Sequence, residues 1–504
     1  MDRRKSILNA VSSVACKIIL LVGSVILRRL FIKHLGMDKN GLNSLYVSVL
    51  GILSVAELGV GSAISFCMYE PIVTGQTERV AALYRLFSRA YRVIGAVILL
   101  LGLFVTPFLP LLVKNGEDLN TNIYLTFVIF LLSVVLSYAF NARLSLINAY
   151  KNNYISTLIQ SGALLFQYAI QCVAVVFTRS YEAYLMCAVI SVIIQYFIAR
   201  LISDKMYGGV IYLNRGALDL QEKKRVKENV RAMLMHKIGG ALVNSTDSII
   251  ISAIIGIGIL GSYTNYAMIA ANVTAILSLA FVSLTSVIGH IFAKSRNKAE
   301  ESFNRFYSAN FMVGAVFFLG FYAVSDYLVS FLFSPDFYMG RSVIFIMTLN
   351  YFVQFLRQSA LTFRDATGTF YMDRYKPLIE GFFNLTLSVA LALLLGGIYG
   401  EEQGVTGVIL ATVITNIVIC HTVEPYVLFK YAFLKSSLPH IIRNYACILL
   451  FTAVLFLESR LLPDYTEGVR GFLISGAVSV FTSLALIFTA LIFDKQLRKA
   501  FKRK

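Results

Sequence analysis

The chain consists of long apolar runs separated by short breaks that hold charged residues, glycine or proline. A helix needs about 20 apolar residues to cross a bilayer, and the runs return at that length from one end of the chain to the other. The pattern therefore predicts an all-α polytopic membrane protein with about 14 transmembrane helices. The predicted helices span residues 8–32, 42–67, 93–113, 121–142, 155–178, 182–202, 233–255, 262–290, 306–333, 342–363, 377–398, 405–429, 441–457 and 471–493.

Composition agrees with this pattern. The 504 residues are 58% hydrophobic and only 14% charged, with a mean hydropathy of +0.73, whereas soluble domains are about 25% charged. Most soluble enzyme classes are thereby excluded. The net charge of +18 is interpreted through membrane topology and not as a sign of nucleic-acid binding.

The basic residues indicate which way the chain is inserted. With an even number of spans both termini lie on one side, and the segments on that side hold 34 Lys and Arg against 7 on the other. Asp and Glu divide almost evenly, 12 against 10. Because cytoplasmic loops are enriched in cations alone, both termini are predicted to be cytoplasmic.

No motif predicts catalysis. The sequence GIGILG at 256–261 has the spacing of a dinucleotide-binding loop, but it links two predicted spans instead of a strand and a helix. A nucleotide-binding P-loop is missing, and the five histidines have no metal-ligand spacing. We therefore predict a protein that is not an enzyme, with no catalytic residues, no cofactor and no bound metal.

An internal repeat predicts two lobes. Shifting the chain by 220 positions superimposes six helices on six and aligns three pairs of identical residues, Lys17 with Lys237, Gly41 with Gly261, and Tyr46 with Tyr266. Because six spans separate the copies, the repeat is parallel. The predicted organisation is an N-lobe at 1–203, a cytoplasmic amphipathic linker at 204–232, a C-lobe at 233–431, and two further helices with a basic tail at 432–504.

Polar residues inside predicted spans are candidates for a functional site, because charges there are costly and usually face a bundle interior or an aqueous path. The candidates for a cationic, polar substrate cavity are Lys17, Arg28, Asn244, Asn350, Gln354, Arg357, Arg364 and Gln167. The candidates for ion coupling are Glu57 and Asp247.

Each candidate has a structural alternative. Lys17 and Glu57 reach similar depth and form either an ion-responsive pair or a static one. Arg28 points into a cavity or extends to the outer interface. Arg357 either binds a phosphate through its planar fork, forms an ion pair with another helix, or marks a misplaced helix end. Gln167, with Gln160 and Gln171 on the same face, binds sugar hydroxyls or packs helices.

Two basic runs in predicted cytoplasmic segments lie outside the spans. Lys223 to Arg231 and Arg85 to Arg92 are interpreted mainly as contacts to anionic lipid, with contact to a substrate headgroup as the alternative.

Several short segments resemble one family. LFIKHLG at 30–36, GLNSLY at 41–46, ELGVG at 57–61 and YEP at 69–71 resemble the N-terminal pattern of Wzx-type oligosaccharide flippases. These belong to the multidrug/oligosaccharidyl-lipid/polysaccharide (MOP) exporter superfamily. NSTDSIIIS at 244–252 and LGSYTNY at 260–266 resemble the start of that family's second lobe.

The resemblance implies a multi-pass protein of the bacterial plasma membrane. Its substrate would be an undecaprenyl-pyrophosphate-linked oligosaccharide repeat unit, turned from the cytoplasmic to the outer leaflet by alternating access, for capsule or exopolysaccharide synthesis. Membrane lipids, Na⁺ or H⁺, and polysaccharide polymerase machinery are the implied partners. The alternatives are a cation-coupled drug or metabolite antiporter, a lipid II flippase and, least favoured, a membrane polysaccharide polymerase.

Overall fold

A computed structural model describes most of the chain. The described residues are 3–54, 60–116, 119–219, 224, 245–282, 284–369, 372–463, 468–494 and 496–498. Only the backbone is described at 3–14, 60–66, 279–280, 282 and 286. Glu57, Lys237 and Asn244, and the basic run from Lys223 to Arg231 apart from Lys224, lie outside the described residues.

The described residues form helices and no β-strand. The α-helices are α1 Arg3–Leu35, α2 Met37–Leu53, α3 Val60–Val73, α4 Thr77–Val105, α5 Ile123–Ala149, α6 Asn153–Thr178, α7 Tyr181–Ile211, α8 Ser245–Ile255, α9 Ile257–Val282, α10 Thr285–Lys294, α11 Arg296–Leu332, α12 Arg341–Leu356, α13 Gln358–Thr367, α14 Lys376–Tyr399, α15 Glu401–Thr415, α16 His421–Val427, α17 Leu438–Leu461 and α18 Val469–Phe493.

The predicted fold class is confirmed. Each of the fourteen predicted spans contains helix, and nine helical stretches within the described part of the chain are long and apolar enough to cross a membrane. Some spans are not single straight helices: the tenth is broken between α12 and α13. The twelfth includes π-helical turns at 416–420 and 428–433. Hydropathy cannot predict such irregularities, because it counts apolar residues and not hydrogen-bond register.

The chain divides into two compact units, Met1–Ala253 and Ile254–Lys504. The first is centred on α5, α6 and α7, where Phe140 and Ile147 pack in one apolar cluster. The second has an aromatic core in which Phe303 of α11 packs against Phe363 of α13 with ring centroids 5.2 Å apart. The helices α17 and α18 lie in this second unit.

Two tyrosines related by the predicted repeat occupy similar positions in their own units. Tyr46 and Tyr266 are both fully buried. The hydroxyl of Tyr46 donates to the carbonyl of Ile123, at the start of α5, over 2.8 Å. The hydroxyl of Tyr266 accepts from the backbone N–H of Met339, just before α12, over 3.4 Å. In each unit this tyrosine thus ties its helix to the segment that begins the corresponding later helix.

The start of the predicted linker packs on α4. α7 continues to Ile211, and the guanidinium of Arg85 donates to the carbonyls of Leu213, Arg215 and Gly216. Gly216 has a φ of +86°, and a Cβ on it would lie 2.5 Å from the carbonyl oxygen of Glu78. Arg85, predicted to contact lipid or substrate, therefore holds a segment of its own chain, and only glycine fits where that segment meets α4.

Candidate functional site

The break between α12 and α13 is stabilised by a side chain from a neighbouring helix. Arg357 stands at the junction. A broken helix leaves carbonyl groups without their usual partners, which is costly in an apolar interior. The side-chain amide of Asn310 on α11 donates to the carbonyls of Phe355 and Leu356, at 3.1 Å each, and to the hydroxyl of Ser359 at 2.9 Å. Asn310 thereby replaces hydrogen bonds that the break removes.

A second chain of hydrogen bonds reaches the same break. Nε2 of His421 contacts the carbonyl of Val353 at 3.0 Å, and the amide of Asn444 donates to Nδ1 of His421 over 2.7 Å. Tyr307 in turn donates its hydroxyl proton to Asn444 over 2.8 Å. Because Nδ1 accepts, the proton of the neutral imidazole is on Nε2 and is donated to Val353. This histidine therefore acts as a hydrogen-bond bridge.

The break directs Arg357 towards carboxylates on other helices. Its guanidinium binds Glu424 of α16 through two bonds, Nη2 to Oε1 at 2.6 Å and Nε to Oε2 at 3.2 Å. Nη1 lies 3.3 Å from Oε1 of Glu380 on α14 and also donates to the side-chain oxygen of Asn416. All three nitrogens of the guanidinium are thus occupied within the protein.

Lys376 completes the arrangement. Its Nζ lies 2.7 Å from Oε2 of Glu380 and 2.6 Å from Oε1 of Glu424. Arg357, Lys376, Glu380 and Glu424 are here called the charge cluster. Their side chains are 14%, 5%, 7% and 1% exposed, respectively. Two cations and two anions give zero net charge, which is what makes the burial of four ionised groups tolerable.

The π-helical turns help to position this cluster. Asn416 lies in the first turn, and Glu424 lies in α16, between the first turn and the second. A π turn inserts an extra residue into a helix, and so rotates every later side chain to a different face. Such turns are frequent at functional sites in proteins. The turn at 416–420 precedes Glu424 and therefore changes the face on which Glu424 meets Arg357.

For Arg357 the structure shows the interhelical ion pair that was one of the sequence alternatives. Arg364 is likewise paired, with Nη1 3.1 Å from Asp373 and Nη2 3.1 Å from Asp365. An anion could bind Arg357 only by displacing Glu380 or Glu424. Phosphate binding by either arginine stays a prediction.

The polar amides contact residues of their own or neighbouring helices. The side chain of Gln354 donates to that of buried Asn350, one turn earlier, over 3.0 Å. In the first unit Gln167 donates to Gln171 over 3.4 Å, and Gln171 donates to the carbonyl of Tyr184 on α7 over 3.1 Å. Gln171 thus joins α6 to α7, and sugar binding by Gln167 stays a prediction.

The remaining candidates lie far from the charge cluster in sequence. Lys17 is exposed on α1, and Arg28 of the same helix is half-buried and interacts electrostatically with Tyr184. Asp247 is half-buried in α8. Glu57 and Asn244 are among the residues that the structure does not describe. Across the described ranges, no group of three or more His, Cys, Asp or Glu side chains could hold a metal ion.

Three members of the charge cluster were missed by the sequence analysis: Lys376, Glu380 and Glu424. A signal was present, because Glu380 lies inside the predicted span 377–398 and Glu424 inside the predicted span 405–429. Charged residues within spans are expected to find partners. Both carboxylates are on other helices than Arg357, so spacing along its own helix does not identify them as its partners.

Known proteins similar to this chain were found through structure alone. No family model matches the sequence, and no curated protein matches it either. The lipid II flippase MurJ, in an inward closed conformation, superimposes with a TM-score of 0.64 at 15% identity, covering 97% of this chain and 99% of MurJ. The chain therefore shares the fold of this flippase.

Two MATE transporters share this fold. An inward-facing MATE family transporter of the MOP superfamily superimposes with a TM-score of 0.61 at 12% identity, covering 87% of this chain and 99% of its own. A point mutant of the Vibrio cholerae MATE transporter VcmN superimposes with a TM-score of 0.52 at 14% identity, covering 86% of this chain and 99% of VcmN. These three neighbours are one flippase and two transporters.

Proposed function

We propose that this protein is a flippase of the plasma membrane that moves undecaprenyl-pyrophosphate-linked oligosaccharide repeat units from the cytoplasmic to the outer leaflet. The observation that supports this most is the extent of the structural similarity. The superposition on the lipid II flippase includes 97% of this chain, whereas those on the two MATE transporters include 87% and 86%. The Wzx-type segments favour an oligosaccharide over lipid II as the cargo.

The second unit has a place for a long apolar chain. A groove of about 430 Å³ runs between α9, α11 and α18, and a second of about 540 Å³ follows α11 and α18 towards their other end. The two share Leu328 and are together called the α11–α18 groove. They extend along α18 from Val469 to Ile487, about 27 Å at 1.5 Å per residue, close to the thickness of about 30 Å of the hydrocarbon core. A polyprenyl chain fits a groove of that length and chemistry.

The pyrophosphate is assigned to the first unit. Lys17 and Arg28 on α1 are cations within a predicted span, and cations there offset the phosphate charge as it crosses a medium of low dielectric constant. Arg357, in the second unit, becomes available to an anion only when it is released from Glu424. Coupling to Na⁺ or H⁺, with Glu57 and Asp247 as carriers, belongs to the same proposal.

Depletion of the protein tests the flippase function. Undecaprenyl-linked saccharides are analysed by mass spectrometry, and a membrane-impermeant glycosidase reports which leaflet holds them. The expected result is accumulation of single repeat units that resist the enzyme in intact cells. Accumulation of single units outside would indicate a polymerase instead, and no accumulation would favour an antiporter.

A glycine in the groove permits a direct test of chain binding. A Cβ on Gly476 would meet no heavy atom within 4 Å, so Gly476→Phe is expected to fill the groove without disturbing the helices. Transport measured by the leaflet assay should fall about tenfold, equivalent to about 1.4 kcal/mol, at an unchanged protein level. Gly162→Phe on α6 is the matched control, since Gly162 also faces open space. Equal transport by both variants would contradict the groove assignment.

A further inference from the structure

α17 contains a buried carboxylate that no cation neutralises in the part of the chain that the structure describes. Glu458 is completely buried, and its described polar neighbours are the hydroxyl groups of Ser479 and Thr482, with no Lys or Arg paired to it. An ionised carboxylate in an apolar interior is very costly when unpaired, and such a group takes up a proton instead. Glu424 is a useful contrast, because it is almost as buried but holds Arg357 and Lys376.

Hydroxyl groups of α18 lie next to this carboxylate. Ser479 and Thr482 are beside Glu458, and the hydroxyl of Thr482 donates to the carbonyl of Ser479 over 3.0 Å. One helical turn beyond Ser479, the buried hydroxyl of Ser483 has no partner within the described part of the chain. The surroundings are therefore polar enough to tolerate a carboxylic acid but provide no cation.

Few titratable groups face Glu458. On α11 it is Tyr322 that interacts with the carboxylate, and Arg341 and Asp326 interact with Tyr322 in turn. The buried face of α18 has hydroxyl-bearing and apolar residues and no titratable one: Gly471, Ser475, Ser479, Thr482, Ser483, Leu486 and Ala490. On α17 itself, Arg460 is exposed and packs over the ring of Phe456. No described cation forms a salt bridge with Glu458.

The carboxylate adjoins the α11–α18 groove. Ser479 lies beside Glu458 and also lines the groove, as does Ser483. An ionised carboxylate behind Ser479 disfavours an apolar chain in the groove, because the chain excludes water from the groove and so raises the cost of the nearby charge. A protonated carboxyl has no such effect.

We propose that Glu458 is a proton-binding site, and that its protonation controls how readily the α11–α18 groove accepts an isoprenoid chain. A single carboxylate beside two hydroxyls suits a proton, which needs one oxygen atom, whereas Ca²⁺ and Mg²⁺ take six or more ligands. The identity of the chain rests on the function proposed above, but the proton site does not. By linkage, a chain in the groove strengthens proton binding as much as the proton strengthens chain binding.

Labelling tests the proton site. The full-length protein in detergent is treated with dicyclohexylcarbodiimide, which modifies protonated carboxyls in apolar surroundings, between pH 6 and pH 9, and labelled peptides are identified by mass spectrometry. Glu458 should be labelled at neutral pH, with the labelled fraction falling as the pH rises, while Glu424 stays unlabelled. No labelling of Glu458 at any pH would overturn the proposal. Labelling suppressed by NaCl relative to choline chloride would also overturn it, in favour of a sodium ion.

Binding of radiolabelled undecaprenol, an uncharged probe, tests the link to the groove. Wild-type protein should bind it about tenfold more weakly at pH 9 than at pH 6. Glu458→Gln should bind it equally at both, and Glu458→Asp, which keeps a carboxyl, should retain the pH dependence. If binding to Glu458→Gln depends on pH as strongly as binding to wild type, Glu458 does not control the groove and that part of the proposal is overturned. If undecaprenol binds at neither pH, both the groove assignment and its control by pH are contradicted. The labelling experiment alone then decides whether Glu458 is a proton site.

Discussion

Replacing Glu424 with glutamine is expected to destabilise the protein by about 3–5 kcal/mol. Glu424 is 1% exposed and contacts both Arg357 and Lys376 at 2.6 Å. Without its charge, two buried cations share the single carboxylate of Glu380, and the cluster has a net charge of +1. An unbalanced buried charge costs far more than a balanced pair contributes. Thermal unfolding of the purified protein, followed with a thiol-reactive dye on the buried free cysteines Cys420 and Cys447, measures the loss.

A double variant separates charge balance from other effects. Glu424→Gln combined with Arg357→Gln leaves Lys376 with Glu380, a neutral pair at 2.7 Å. We expect the double variant to recover more than half of the stability that Glu424→Gln loses. Additive losses in the double variant would show that the residues are not coupled by charge. A stable double variant that does not transport would support the predicted role of Arg357 in substrate binding.

Replacing Gly407 with alanine is expected to cost about 3 kcal/mol. α14 and α15 pack so closely that a Cβ on Gly407 would lie 2.6 Å from the carbonyl carbon of Leu391 and closer still to its oxygen. A backbone carbonyl cannot turn aside as a flexible side chain can, so the two helices must separate. The separation also weakens the contact between Gly396 and Gly404, where an added Cβ would be 3.4 Å from the facing Cα. Unfolding temperature and the yield of membrane-inserted protein report the effect.

A glycine on the same helix pair provides the control. Gly397 lies on α14, and a Cβ there would meet no heavy atom within 4 Å. Gly397→Ala is therefore expected to be neutral or to stabilise by up to about 1 kcal/mol through its better helix propensity. If Gly407→Ala and Gly397→Ala unfold at the same temperature, the inference that α14 and α15 pack too closely for a side chain at Gly407 is contradicted.

The positions of the helices could be predicted from the sequence because they depend on a local property. Each span must satisfy its backbone internally and match the bilayer with about 20 apolar residues, and both requirements can be read from consecutive residues. For the same reason the pairing of Tyr46 with Tyr266 was visible, since a repeat preserves local sequence. That the chain has polar positions inside its spans was equally evident.

The partners of those polar residues could not be predicted. Arg357 is 23 positions from Glu380 and 67 from Glu424, so spacing on one helix provides no information about either contact. Their meeting depends on the break at Arg357 and on the π turn before Glu424, which changes the face that this side chain occupies. The folded chain places two carboxylates at this arginine, and phosphate binding there stays a prediction.

The sequence by itself thus determined that the protein is an all-α membrane protein, where its spans lie, and which polar and charged residues fall inside them. The tertiary structure alone decided which of those charges are neutralised by partners, as in the charge cluster, and which, like Glu458, are buried beside hydroxyl groups with no described cation. The physical reason is that the cost of burying a charge depends on what lies within a few ångströms of it, and that distance is set by helix packing between residues far apart in the chain.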